Sequence, residues 1–137
     1  MKRTATAVWN GSGKEGSGNL TTQSTTLNKT QYSFKSRFEE GVGTNPEELI
    51  AAAHAGCFAM ALSFELQKYD LIAESLDVTA AVTIIPGTGI TNSDLVLKAK
   101  IPGIDPQKFQ EYAATAKANC PVSKVLNAAI TLDASLV

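Results

Sequence analysis

The sequence predicts an α+β fold in the order βββ–α–ββ–α–α–β, built around one long helix. Three observations predict it. The stretch Gly43-Thr44-Asn45-Pro46-Glu47-Glu48-Leu49 opens an alanine-rich run with few breakers that continues past Ala61. Residues 2–10, 31–38, 75–86 and 90–101 alternate in side-chain character with a period of two. A cap-then-proline pair appears twice, at Asn45-Pro46 and Asp105-Pro106. At 137 residues, a single domain over 1–137 is expected, large enough to build a core without disulfide or metal staples.

Taken in order, residues 2–10 read as a strand, with Thr4, Thr6 and Val8 on one face. The glycines from Gly11 to Gly18 then break it as a hairpin connection. That loop lacks the strand-before, helix-after setting of a phosphate cradle. Residues 20–27, rich in threonine, are expected as a polar strand. Residues 31–38 are expected as a third, with Tyr32, Phe34, Ser36 and Phe38 on one face and Ser33, Lys35 and Arg37 on the other.

The central helix should start at Pro46 and run to about Tyr69. Asn45 can accept from first-turn N–H groups, Pro46 has no N–H to leave unpaired, and Glu47 and Glu48 suit the positive end of the dipole. Its small and apolar residues all round predict central burial. Leu76, Val78, Ala80, Val82 and Ile84, then Leu95, Leu97, Ala99 and Ile101, mark a second hairpin turning at Pro86-Gly87-Thr88-Gly89. Asp105 caps a helix with the stripe Phe109, Tyr112, Ala113 and Ala116, ending near Asn119. Cys120 then caps a short helix begun by Pro121, and residues 127–136 close the fold as a strand.

Charge and composition narrow the function classes. The net charge is −1, with no basic face for nucleic acid, and no apolar run is expected to span a membrane. The basic amino terminus is not followed by an apolar signal region, which points to the cytoplasm. Two cysteines, Cys57 and Cys120, are too few for a secreted disulfide framework and supply too few soft ligands for a closed zinc site. In a reducing compartment they are idle or redox-active.

Cys57, in mid-helix, has no dipole to ionise it, so its reactivity would need a cation from elsewhere. Cys120, at a helix N-terminus, is by local physics the more acidic thiol. His54 precedes Cys57 by three residues and shares its helix face. It either pairs with that cysteine or hydrogen-bonds a neighbouring strand, and the second is the commoner fate of a buried histidine. Glu47 and Glu48 are both candidates to pair with Arg37, or are simply first-turn dipole partners.

The motifs Arg37-Phe38-Glu39, Gly43-Thr44-Asn45-Pro46-Glu47-Glu48-Leu49, Ala51-Ala52-Ala53-His54-Ala55-Gly56-Cys57-Phe58 and Cys120-Pro121-Val122-Ser123 together resemble the OsmC/Ohr family of thiol peroxidases. The likeness spans essentially the whole chain. The osmotically inducible protein C (OsmC) branch is the better match: Arg37 is expected on the strand before the Gly-Thr-Asn-Pro loop, and His54 stands where the organic-hydroperoxide-resistance branch more often has tyrosine. The resemblance implies an OsmC-like fold, an antiparallel sheet wrapped on a long buried central helix in an intertwined homodimer with sites at the subunit interface. It implies reduction of organic hydroperoxides, and more weakly of hydrogen peroxide, with no cofactor and no metal. By position, Cys57 is the peroxidatic thiol, Cys120 the resolving thiol, Arg37 the activating cation and Glu47 its carboxylate anchor, which reverses the local ranking of the two thiols. The disulfide so formed would be reduced by an external dithiol, a lipoylated protein or a small molecule. A hydrophobic-ligand binder or thiol redox sensor on the same fold is the alternative.

Overall fold

The computed structural model describes all 137 residues, which form two compact units, residues 1–49 and 50–137. In the first, strands β1 (Ala5–Asn10), β2 (Ser17–Thr22) and β3 (Thr30–Tyr32) pair antiparallel in the order β1-β2-β3. Trp9 opposes Gly18, and Gly18 opposes Tyr32. A side chain at Gly18 would meet both aromatic rings at 2.7 Å, so glycine there lets Trp9 and Tyr32 close to 5.2 Å between ring centroids.

Two expectations fail in this unit for local chemical reasons. The strand expected over 20–27 stops at Thr22 because hydroxyls take over the backbone's bonding. Thr22 Oγ1 accepts from the Leu27 N–H, Ser24 Oγ accepts from the Thr26 N–H, and Thr25 adopts φ of 62°. The strand expected over 31–38 ends at Tyr32 and gives way to the short helix α1 (Phe34–Phe38). Ser33 and Ser36 form a reciprocal capping box that starts a helix, and Phe34 and Phe38 satisfy the i, i+4 period as well as alternation, their rings 5.0 Å apart.

Helix α2 (Pro46–Gln67) begins as expected, with Asn45 Oδ1 accepting from the Glu48 N–H at 2.8 Å. In the second unit it is followed by β4 (Ser75–Ile85), β5 (Gly89–Lys100), α3 (Pro106–Asn119), α4 (Pro121–Val125) and β6 (Ala129–Leu136). β4 and β5 form the expected hairpin, and Asp105 caps α3 by accepting from the Gln107 and Lys108 N–H groups. β6 lies parallel to β5, so the fold carries two three-stranded sheets, one of them mixed, in place of a single antiparallel sheet. The α3–α4 crossover between β5 and β6 returns the chain in the same direction, which a tight hairpin cannot do.

Helix α2 is not buried all round. Phe58, Leu62 and Leu66 share a core with Leu95 and Leu97 of β5 and Phe109 of α3. Met60 and Phe64, on another face, are 64% and 62% exposed, and Ala53 and Gly56 are exposed with them. At 22 residues α2 is long and apolar enough to cross a bilayer, against the expectation that no run reaches that length. Its packing against the sheet makes it a core helix of the fold.

Candidate functional site

Cys120 sits at the junction of α3 and α4. Its N–H bonds the Ala116 carbonyl at 2.9 Å to close α3, and its own carbonyl accepts from the Lys124 N–H to open α4, so the residue is fixed from both sides. Pro121 starts α4, and the N–H groups of Val122 and Ser123 in its first turn make no cap bond to the sulfur but favour its thiolate. Cys120 is fully buried, and Cys57, on α2, is half-buried. Both are free thiols, and they lie near enough to shift each other's ionisation.

The two thiols differ in acidity. Burial pushes Cys57 up, and the neighbouring Cys120 thiol adds to that, outweighing the Val122 N–H. Burial pushes Cys120 up as well. There the Cys57 thiol, the N–H and hydroxyl of Ser123 and the Val122 N–H together prevail and leave it below the ordinary thiol range. An apolar hollow of about 430 Å³ opens beside Cys57, lined by Gly56, Met60, Ala61, Phe64 and Pro121.

His54 is wholly buried one turn before Cys57, and burial holds its imidazole below the usual value, hence neutral at pH 7. Nδ1 is 2.6 Å from Ser93 Oγ on β5, the neighbouring-strand bond expected of it, and Nε2 is 2.8 Å from Ser123 Oγ on α4.

In the first unit, Arg37 lies on helix α1, a correction to its expected place on a strand. Its Nε and Nη2 donate to Glu47 Oε1 at 3.0 and 2.8 Å, and Nε also reaches Oε2 at 3.3 Å. Glu47 is buried, whereas Glu48 is exposed and accepts from Thr44 Oγ1 at 2.6 Å. The guanidinium stands 5.1 Å from the Phe38 ring centroid, at a cleft of about 250 Å³ lined also by Trp9, Tyr32 and Phe34. No group of three or more His, Cys, Asp or Glu is gathered as a metal site would require.

Comparison with known proteins bears on what these groups belong to. The family described as OsmC-like protein matches residues 39–135, a span that holds Glu47, Cys57 and Cys120. The chain belongs to the OsmC-like family. Peroxiredoxin OsmC of Escherichia coli (strain K12) is 47% identical over 133 residues, covering 95% of this chain and 93% of that protein. The organic hydroperoxide resistance protein of Xanthomonas axonopodis pv. citri is 35% identical over 100 residues, covering 70% and 68%. Among solved structures, OhrB of Bacillus subtilis superposes with a TM-score of 0.74 at 24% identity, over 96% of this chain and 98% of that one. An OsmC-like protein from Mycoplasma pneumoniae superposes with a TM-score of 0.77 at 14% identity, over 100% and 98%. These superpositions establish the OsmC-like α+β fold.

The sequence reading of this OsmC-like chain missed Ser93 and Ser123 as partners of His54. A signal for the first was available: Ser93 occupies the inward slot of the same alternation that buries Leu95, Leu97 and Ala99, and a hydroxyl in such a slot needs a buried partner. Ser123 belongs to the Cys120-Pro121-Val122-Ser123 motif, but its pairing depends on the fold of α4 against α2, which no local pattern encodes.

Proposed function

We propose that this chain is a cysteine-based peroxidase that reduces organic hydroperoxides, and hydrogen peroxide more weakly, to alcohol and water in oxidative and osmotic stress defence. The observation that carries the reading is the pair of neighbouring free thiols, Cys57 and Cys120, beside an apolar hollow suited to an alkyl or aryl hydroperoxide tail. The Cys57 thiolate attacks the distal peroxide oxygen. The O–O bond breaks, the alkoxide leaves and takes a proton as alcohol, and sulfenic acid remains on Cys57. Cys120 then attacks that sulfur, the S–S bond forms as the S–OH bond breaks, and the hydroxide leaves as water. An external dithiol supplies the two electrons that restore both thiols and is itself oxidised to a disulfide. Such chemistry suits a reducing compartment such as the cytoplasm.

Arg37 is the activating cation in this reading, held planar by Glu47 through the paired N–H contacts. It offsets the burial that otherwise raises Cys57, and it donates to the peroxide oxygens as charge develops. Glu47 and Cys57 stand ten residues apart on one helix, about 15 Å of axial rise. One arginine bonded to Glu47 does not bridge that rise to Cys57 on the same helix. We therefore assign Arg37 and Glu47 of one protomer to the Cys57 and Cys120 of its partner, in an intertwined homodimer with two sites. The exposed apolar face of α2 through Met60 and Phe64 supports a second copy as its cover.

The test is consumption of cumene hydroperoxide in the presence of dithiothreitol. Wild type is expected to turn over and Cys57→Ser to fall to background. One equivalent of peroxide is expected to remove two hydrogens by mass and link Cys57 to Cys120. Equal rates in the two proteins would favour a hydrophobic-ligand binder or thiol sensor instead.

A further inference from the structure

The fully buried histidine does no work in the peroxidase scheme, yet both its nitrogens are committed. Ser93 is also fully buried, and its hydroxyl has His54 Nδ1, at 2.6 Å, as its side-chain partner. A hydroxyl so placed leaves its proton without an acceptor unless it donates to Nδ1, and an unpaired buried donor is the costly arrangement. If Ser93 donates, Nδ1 carries the lone pair and the proton of the neutral ring is on Nε2. Nε2–H then donates to Ser123 Oγ at 2.8 Å, which occupies that oxygen as acceptor and frees its own proton. The neighbour for that proton is Cys120: as N-cap and third residue of α4 the two side chains share the first turn, and the Ser123 hydroxyl is among the groups that draw the Cys120 thiol down.

We infer that the chain Ser93–His54–Ser123 prepares Cys120 for the resolving step: Ser123 is a catalytic residue whose hydroxyl donates to the Cys120 sulfur, and His54 is the positioning residue that turns it there. The inference rests on the peroxidase reading of the two cysteines. Cys120 is wholly buried, where an unsupported thiolate is disfavoured, and it must act as nucleophile toward a sulfenic acid one helix away. A donor with a fixed direction meets that need without a buried cation. In the step itself, Cys120 sulfur bonds to Cys57 sulfur, the Cys57 S–OH bond breaks, and the proton given up by the Cys120 thiol ends on the departing hydroxide as water. Ser123 retains its own proton throughout.

The same imidazole thereby joins three elements, β5 through Ser93, α2 through its own backbone and α4 through Ser123. Loss of a merely structural tie would slow both chemical steps together. Loss of the directed donor slows only the second.

Rapid quenching of the full-length enzyme with cumene hydroperoxide, followed by mass analysis of the thiol, sulfenic, disulfide and sulfinic forms, separates the two steps. In Ser123→Ala the ratio of the resolving rate to the peroxidatic rate is expected to fall about tenfold, the effect of losing one hydrogen bond to a charged group. Sulfinic acid should then accumulate on Cys57 under excess peroxide. Ser123→Thr, which keeps the hydroxyl, should restore most of the ratio. His54→Phe should match Ser123→Ala, and the double variant should be no slower than either, because the two residues act as one unit. His54→Asn replaces the phenylalanine variant if the latter does not fold. An unchanged ratio in Ser123→Ala, a parallel fall of both steps, or additive losses in the double variant overturns the inference. Wild type that forms no disulfide would overturn the peroxidase reading itself, and this inference with it.

Discussion

The ion pair between Arg37 and Glu47 contributes through direction more than through stability. Arg37 is 37% exposed at its side chain, so water screens the Coulomb attraction, and an exposed pair of this kind is worth at most about 1 kcal/mol. What the contact does fix is the plane of the guanidinium, by Nε and Nη2 both donating to a carboxylate that is itself buried. Glu47→Gln is therefore expected to cut hydroperoxide turnover about tenfold or more while moving the melting temperature only slightly. Glu48→Gln should remain near wild type, because Glu48 is exposed and answers to Thr44 and Asn45 instead. Turnover and thermal melts on the two variants side by side decide between them, and equal losses would sink the assignment of Glu47. The sequence could not separate the two glutamates: neighbours on a helix differ by about 100° in direction, and only the placement of Arg37 on α1 selects one.

At the scale of elements, the legible parts were those whose local chemistry and burial pattern agree. The start of α2 is written in Asn45 and Pro46, that of α3 in Asp105 and Pro106, and the β4–β5 hairpin in its alternation and Pro86-Gly87 turn. Helix α1 was illegible because five residues with aromatics at both ends fit either period, and the decision falls to two serine hydroxyls. The parallel return of β6 was illegible too, since strand direction follows from where the crossover lands. Those serines give α1 its own prediction. Ser33 Oγ accepts from the Ser36 N–H, Ser36 Oγ accepts from the Ser33 N–H, and Ser36 Oγ also reaches the Thr44 carbonyl at 2.8 Å. Ser33→Ala removes the cap and should cost about 1 kcal/mol in urea unfolding. Because Arg37 lies in the last turn of α1, turnover should fall as well, whereas Ser33→Thr, able to cap, should keep both. A stable but inactive Ser33→Ala would tie α1 to catalysis alone, and an unchanged protein would mean the box is not what holds the helix.

For the whole molecule, the decisive question is whether one site draws on two chains. Helix α2 leaves Met60 and Phe64 about two-thirds exposed, and covering side chains of that size stabilises by about 2 kcal/mol each, which favours association over leaving them in water. Association alone does not establish a shared site, but subunit mixing does. Arg37→Ala and Cys57→Ser are each expected to be inactive as homodimers. If the guanidinium of one protomer serves the thiol of the other, a heterodimer of the two variants holds one site with both substitutions and one with neither. Unfolding, mixing in equal amounts and refolding gives half heterodimers by random pairing, so about a quarter of all sites, and of wild-type turnover, should return. A site built within a single chain returns nothing, because every chain in the mixture lacks one of the two groups. The recovered activity should also vanish on dilution to the point where sedimentation shows monomers, and activity that survives there would remove the partner protomer from the site.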